Sequence, residues 1–207
     1  MKRNLTLSLI LTLALLLFST IPAYAQSIPL ADSLTIIDPS EVPEGITPMV
    51  FETQEQANAY VAELSEAVRK SNAEARLARM QAELREASPL SFSIAAVDKY
   101  NGTLTQQKNI GGQVFKLEAR VYFEYFYSGS NPRFSSVTGH DTYFVGATAT
   151  DSWEELNAYS QILDSQRSLG LSVDGLWHMY IYIPGSGLTE TYTQTVEEYF
   201  EWGYGAI

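Results

Sequence analysis

Two histidines, His140 and His178, are the only side chains of this sequence whose ordinary pKa suits proton transfer near neutral pH. Serine-hydrolase chemistry needs a nucleophile on a sharp turn with such a base in reach, and the sequence has no Gly-x-Ser-x-Gly elbow. His140 stands in Gly139-His140-Asp141, which reads as a solvent-facing turn. His178 stands beside Trp177 in an apolar run and reads as a sheet-surface residue. Either one serves a hydrolase only if the fold brings an acid and a hydroxyl to it in a cleft. Zinc asks for three or four ligands, and two histidines about 38 residues apart in a chain without cysteine do not supply them. Asp151-Ser152-Trp153-Glu154-Glu155 lacks the Asp-x-Asp-x-Asp-Gly pattern of a calcium loop and reads as a solvated turn. Glycoside hydrolysis needs two carboxylates about 5 to 10 Å apart. Glu118 and Glu124 share a strand face but stand near 20 Å apart at about 3.3 Å per residue. A pair from different strands, Glu124 with Glu198 or Glu201, stays open. Neither a phosphate loop nor a dinucleotide fingerprint occurs. These patterns assign no catalytic residue, no metal ligand and no cofactor.

Aromatic side chains are the remaining candidates. From Gln113 to Ser128 the sequence alternates with period two, placing Phe115, Leu117, Ala119, Val121, Phe123, Tyr125 and Tyr127 on one oily face. The other face mixes Tyr122 and Phe126 with Lys116, Glu118, Arg120 and Glu124. Near the C-terminus, Tyr180 and Tyr182 stand with His178 on the face opposite Trp177, Met179, Ile181 and Ile183. Exposed rings on a sheet give flat, rigid, amphipathic contact area for a sugar or a protein. Tyr122, Phe126, Tyr180 and Tyr182 are therefore the candidate ligand-binding residues. The competing expectation is that these rings pair across strands or lie beneath a helix.

The elements that must position them follow in chain order. Residues 1–25 read as a signal peptide, with Lys2 and Arg3, an apolar run from Leu5 to Phe18, and cleavage after Ala25. That run is too short to span a bilayer. Residues 26–52 hold Pro29, Pro39, Pro43 and Pro48 and read as an extended leader. Thr53 and Gln56 form a capping box that opens a charged amphipathic helix over 53–88. Ala57, Tyr60, Val61, Leu64, Ala67 and Val68 give it one apolar stripe, and Leu77, Met80, Leu84 and Ala87 give another. Arg69 to Asn72 break the stripe, so the spacing predicts either one long helix that changes face or two short ones. Such a helix docks on a larger body, stays solvated, or makes a weak coiled coil with a second copy. Pro89 ends it.

Composition then shifts. Residues 26–99 contain three aromatics, whereas residues 100–207 contain 20, which marks 89–207 as a β domain. Strands are expected at 91–99, 103–109, 113–128, 134–138, 142–148, 156–163, 168–173, 176–183 and 189–201. Turns are expected at Asn101-Gly102, Gly111-Gly112, Ser128 to Pro132, Gly139 to Asp141, Asp174-Gly175 and Pro184 to Gly187. The spacing predicts an antiparallel β-sandwich or partly closed barrel of about eight strands.

Without Lys2 and Arg3 the chain carries 11 basic against 24 acidic residues, a net of −13. That disfavours nucleic acid and anionic membrane as partners. With no cysteine, an exported chain must be held by its core alone. The expectation is a secreted, extracellular, non-catalytic binding module for cell-surface carbohydrate or a protein, not inserted in a membrane, monomeric or weakly dimeric through its helix. The alternatives are a secreted hydrolase, and a toxin, bacteriocin or inhibitor with 26–88 as a pro-region.

Overall fold

The computed structural model describes residues 33–86, 98–110, 115–145 and 149–206. The signal peptide, the Gly111-Gly112 turn, the stop at Pro89 and most of the 91–99 strand lie outside the described residues. Eight strands and one helix make up the rest, in the order β1 (Ser33–Ile37), β2 (Met49–Val50), α1 (Gln54–Glu86), β3 (Tyr100–Ile110), β4 (Phe115–Ser128), β5 (Asn131–Val145), β6 (Asp151–Leu163), β7 (Ser168–Ile183) and β8 (Leu188–Gly203). They form an antiparallel sandwich. One sheet runs β3-β4-β5, and the other runs β1-β8-β7, with β6 and the short parallel β2 sharing the far edge of β7.

Alternation builds the core. Phe115, Leu117, Ala119, Val121 and Phe123 of β4 are buried against Leu169, Leu171, Val173, Trp177, Met179 and Ile181 of β7. Each such side chain contributes about 1.5–3 kcal/mol by leaving water. Phe115 sits 4.3 Å from Trp177, ring centre to ring centre, and Trp177 meets Tyr192 edge-on at 5.8 Å. The sandwich does not close into a barrel. Between β5 and β6, side chains bridge instead of a ladder: the Trp153 indole donates to Thr142 at 3.0 Å, and Glu155 meets His140 and Thr142. Between β3 and β8, the Lys108 ammonium donates to the Tyr199 carbonyl and pairs with Glu198.

Several expected turns are strand interior. Asn101-Gly102 lies inside β3, Gly139-His140-Asp141 inside β5, and Asp174-Gly175 inside β7. Ring packing is the reason at two of them. A Cβ on Gly102 would lie 2.4 Å from the Phe123 ring, and one on Gly175 would lie 2.3 Å from the Trp153 ring. These glycines make room for an aromatic rather than supply a positive φ. The acidic stretch Asp151–Glu155 is likewise the start of β6. The Pro-rich leader contributes β1 and β2 to the sheet.

Strand β5 carries two unmatched residues. Opposite the consecutive pair Tyr122 and Phe123 stand Gly139 and Val137, and opposite Glu124 and Tyr125 stand Ser136 and Phe134. Thr138 and Ser135 are thus bulged out, and each bulge reverses which side chains face inward. Phe144, Val137 and Phe134 all reach the core as a result.

Helix α1 is single and continuous. The Thr53 hydroxyl accepts from the Gln56 amide at 3.3 Å, but the Gln56 side chain reaches the Glu52 amide at 3.1 Å, one residue before the expected box. Its first half packs Ala57, Leu64 and Val68 into the core. Its second half packs Ala75 and Ala82 on Leu163 and Tyr199, which form a separate cluster. Alternation along β8 places Gln194 and Glu198 inward and Glu197, Tyr199 and Glu201 outward. The helix bonds to both sets: Gln194 and Glu198 meet Ser65 and Ser71, while Glu197 and Glu201 meet Arg76 and Arg85. The helix therefore crosses the free edge of β8, which β1 leaves open beyond Thr193. Asn72 marks the crossing. Its amide donates to the Thr195 carbonyl at 2.8 Å, and its carbonyl accepts from the Glu197 amide at 2.8 Å.

Candidate functional site

The four aromatic candidates fall on two faces. Tyr122 and Phe126 belong to the outer side of the three-stranded sheet, Tyr180 and Tyr182 to the outer side of the other. They cannot line one site. Tyr122 is half-buried and donates from its hydroxyl to Asp141 at 2.7 Å. Phe126 and Tyr180 are buried, and Tyr182 is exposed.

A different set of rings comes together. Tyr100, Tyr125 and Tyr127 pack on one another with ring centres 5.5, 5.8 and 5.8 Å apart. Cross-strand register places Tyr100 directly opposite Tyr125, and Tyr127 follows two residues on. Tyr125 leans on Phe123, which meets Phe134 edge-on at 5.1 Å. The cluster is thus the outward end of the core row of β4. Its members emerge progressively: Phe123 is buried, Tyr125 half-buried, and Tyr100 and Tyr127 are each 47% exposed. Burial and the neighbouring Tyr127 push the Tyr125 hydroxyl pKa up, so that ring stays a neutral donor at physiological pH. The arrangement offers two wet faces on a rigid aromatic base, with hydroxyls at the rim. Alternation alone assigned Tyr125 and Tyr127 to the core. What it missed was that the row outruns the opposing layer.

The outer side of the same sheet is a polar network. Glu118 accepts from Tyr143 and, at 2.7 Å, from Gln107, with Arg120 3.4 Å away. Those hydrogen bonds, Tyr143 first, hold its carboxyl below the ordinary range. Glu124 is held by Lys99 and Ser136 at 2.8 Å each. Glu198 is engaged by Ser71 and Lys108, and Glu201 by Arg85. Each acid is thus occupied by its own partners.

Both histidines meet an acid. His140 Nε2 lies 2.9 Å from Glu155, inside the seam between β5 and β6. His178 Nδ1 lies 2.9 Å from the Thr193 hydroxyl, and its Nε2 lies 3.6 Å from Glu154. Thr193 stands mid-strand, paired on both sides to Ser33 and His178. A hydroxyl there lacks the sharp turn that presents a nucleophile and a cluster of free amides for an oxyanion. Among the described residues, no three His, Asp or Glu side chains gather as a metal site. No described helix is long and apolar enough to cross a membrane.

Asp151 is among the buried acids. Asp151 accepts from the Trp177 indole at 3.0 Å and from Thr150 at 2.9 Å. Desolvation raises its pKa despite those bonds. A folded pKa above the unfolded one means the ionised carboxylate costs stability at neutral pH. The cost disappears as pH falls through the folded value. Asp151→Asn keeps an acceptor for Trp177 and removes the charge. Its Tm should exceed that of the native chain at about pH 8, and the gain should vanish by about pH 4. Thermal melts across that range check this; an equal gain at both ends would refute it.

No protein-family model, curated protein or solved structure matches the chain.

Proposed function

We propose that this is a non-catalytic binding module of an exported protein, and that Tyr100, Tyr125 and Tyr127 form its ligand platform. The observation that carries the reading is the mutual packing of three tyrosines over buried Phe123 and Phe134, with two of the rings half in water. Fixed rings lose little conformational entropy on binding and present flat faces with donor hydroxyls at their edges. Pyranose rings of a cell-surface polysaccharide fit that chemistry, with apolar C–H faces for stacking and hydroxyls for the rim. A leader with a basic start, an apolar run and a small-x-small site supports export.

Affinity electrophoresis or sedimentation with insoluble bacterial and plant polysaccharides tests the platform. The native chain should be retained, and Tyr100→Ala and Tyr127→Ala should each weaken retention about tenfold, the scale of one lost ring contact. Tyr159→Ala, another exposed tyrosine, should change nothing. Retention unaffected by both platform substitutions would reject the site.

A further inference from the structure

Over residues 71–85 the side of α1 that touches the sandwich is mostly polar, and the side that faces water carries an apolar stripe between charged residues. Ser71, Asn72, Arg76, Arg79 and Arg85 make the contacts, with only Ala75 and Ala82 between them. Leu77, Met80 and Leu84 point outward and are 56%, 61% and 79% exposed. Their spacing of three and four residues puts them on one stripe, which Ala73 extends by a turn. Large apolar side chains held off the core in this way leave their burial to another surface.

We propose that this stripe binds the same stripe of a second copy, the two helices running antiparallel. Charge selects both the occupant and the direction. In an antiparallel pair centred on Leu77 against the second copy's Met80, Leu84 falls opposite Ala73. Arg76 then flanks the second copy's Glu83, and the two-fold axis repeats each contact. Arg76 holds Glu197 through Nε and Nη2, which leaves Nη1 on the open edge of the fork for Glu83. A parallel pair would set Arg76 beside Gln81 and lose both ion pairs, and the Arg69–Glu74 pairs formed in their place would bring Lys70 against the Lys70 of the second copy. Three large side chains per copy cover far less than the roughly 800 Å² per partner of a stable dimer, so the association is weak and reversible. It does not depend on what the tyrosines bind.

Sedimentation velocity of the mature chain from about 10 μM to 1 mM reads it directly, the affinity range expected of so small an interface. The weight-average mass should climb toward twice that of one chain. Met80→Lys should hold it at one chain throughout, and Glu83→Arg should weaken association about tenfold, the effect of two lost ion pairs. All these positions are exposed, so circular dichroism should be unchanged. The chain has no cysteine, so single replacements report geometry without background. Under oxidant, a mixture of Leu77→Cys and Met80→Cys chains should cross-link, and Leu84→Cys alone should not. A monomer at every concentration overturns the proposal, whether Met80 then proves open to or shielded from hydroxyl-radical oxidation. Efficient cross-linking of Leu84→Cys to itself overturns the antiparallel arrangement.

Discussion

Gly175→Ala should destabilise the sandwich by about 2–3 kcal/mol, a fall in Tm of roughly 6–10 °C for a domain of this size. The added carbon would lie 2.3 Å from the Trp153 ring and 2.5 Å from the Glu154 carbonyl oxygen. The second contact is with backbone, which cannot rotate away. Trp153 is in turn fixed by its bond to Thr142 and by Phe144, 5.3 Å from ring centre to ring centre. Relief must therefore come from moving β6 against β7 or from breaking the bridge to β5. Guanidinium melts followed by tryptophan fluorescence measure the loss. Gly203→Ala, where an added carbon meets nothing within 4 Å, is the matched control and should stay within about 0.5 kcal/mol. Equal effects at the two sites would mean that Trp153 does not hold its place.

Asn72→Ala should cost about 2–4 kcal/mol, because it strips partners from two edge groups of β8 beneath a covering helix. The Thr195 carbonyl and the Glu197 amide would each carry about 1–3 kcal/mol of unrecovered desolvation where water does not reach. The neighbouring ion pairs offset little of this. Arg85 with Glu201 and Arg79 with Asp174 are partly exposed, and such pairs are worth about 0–1 kcal/mol each. The substituted chain should also aggregate more readily on warming, since an uncovered strand edge is a template for pairing. Asn58→Ala, at an exposed position on the same helix, sets the baseline for urea unfolding. A loss no larger than that baseline would show that Asn72 does not seal the edge.

The sandwich was legible because β4, β7 and β8 keep their alternation over 14 to 16 residues. A pattern of that length survives even a turn wrongly expected within it, since 168–173 and 176–183 keep the same inward face. The dipeptides Asn101-Gly102 and Asp174-Gly175 misled for a definite reason. A glycine serves equally for a positive φ and for a flat ring laid on the backbone, and only the partner strand tells which. The helix misled in another way. Its docked side after residue 70 is built of Asn, Ser, Arg and Ala, so its apolar stripe points away from the body it covers. Position on the platform was equally hidden. Tyr125 and Tyr127 obey the core pattern, and their exposure follows only from where the facing sheet ends.

The paired irregularities of β5 carry a consequence for how this chain can change over time. Losing Thr138 alone, or Ser135 alone, would leave each pairing in place, since Gly139 and Val137, or Ser136 and Phe134, would become neighbours opposite the consecutive residues they already face. Losing a matched residue has no such slack and would turn one arm inside out, exchanging Phe134, Val137 or Phe144 for a polar neighbour. Length variation in this strand should therefore collect at these two positions, and descendants of the gene should be able to lose either bulge without its companion.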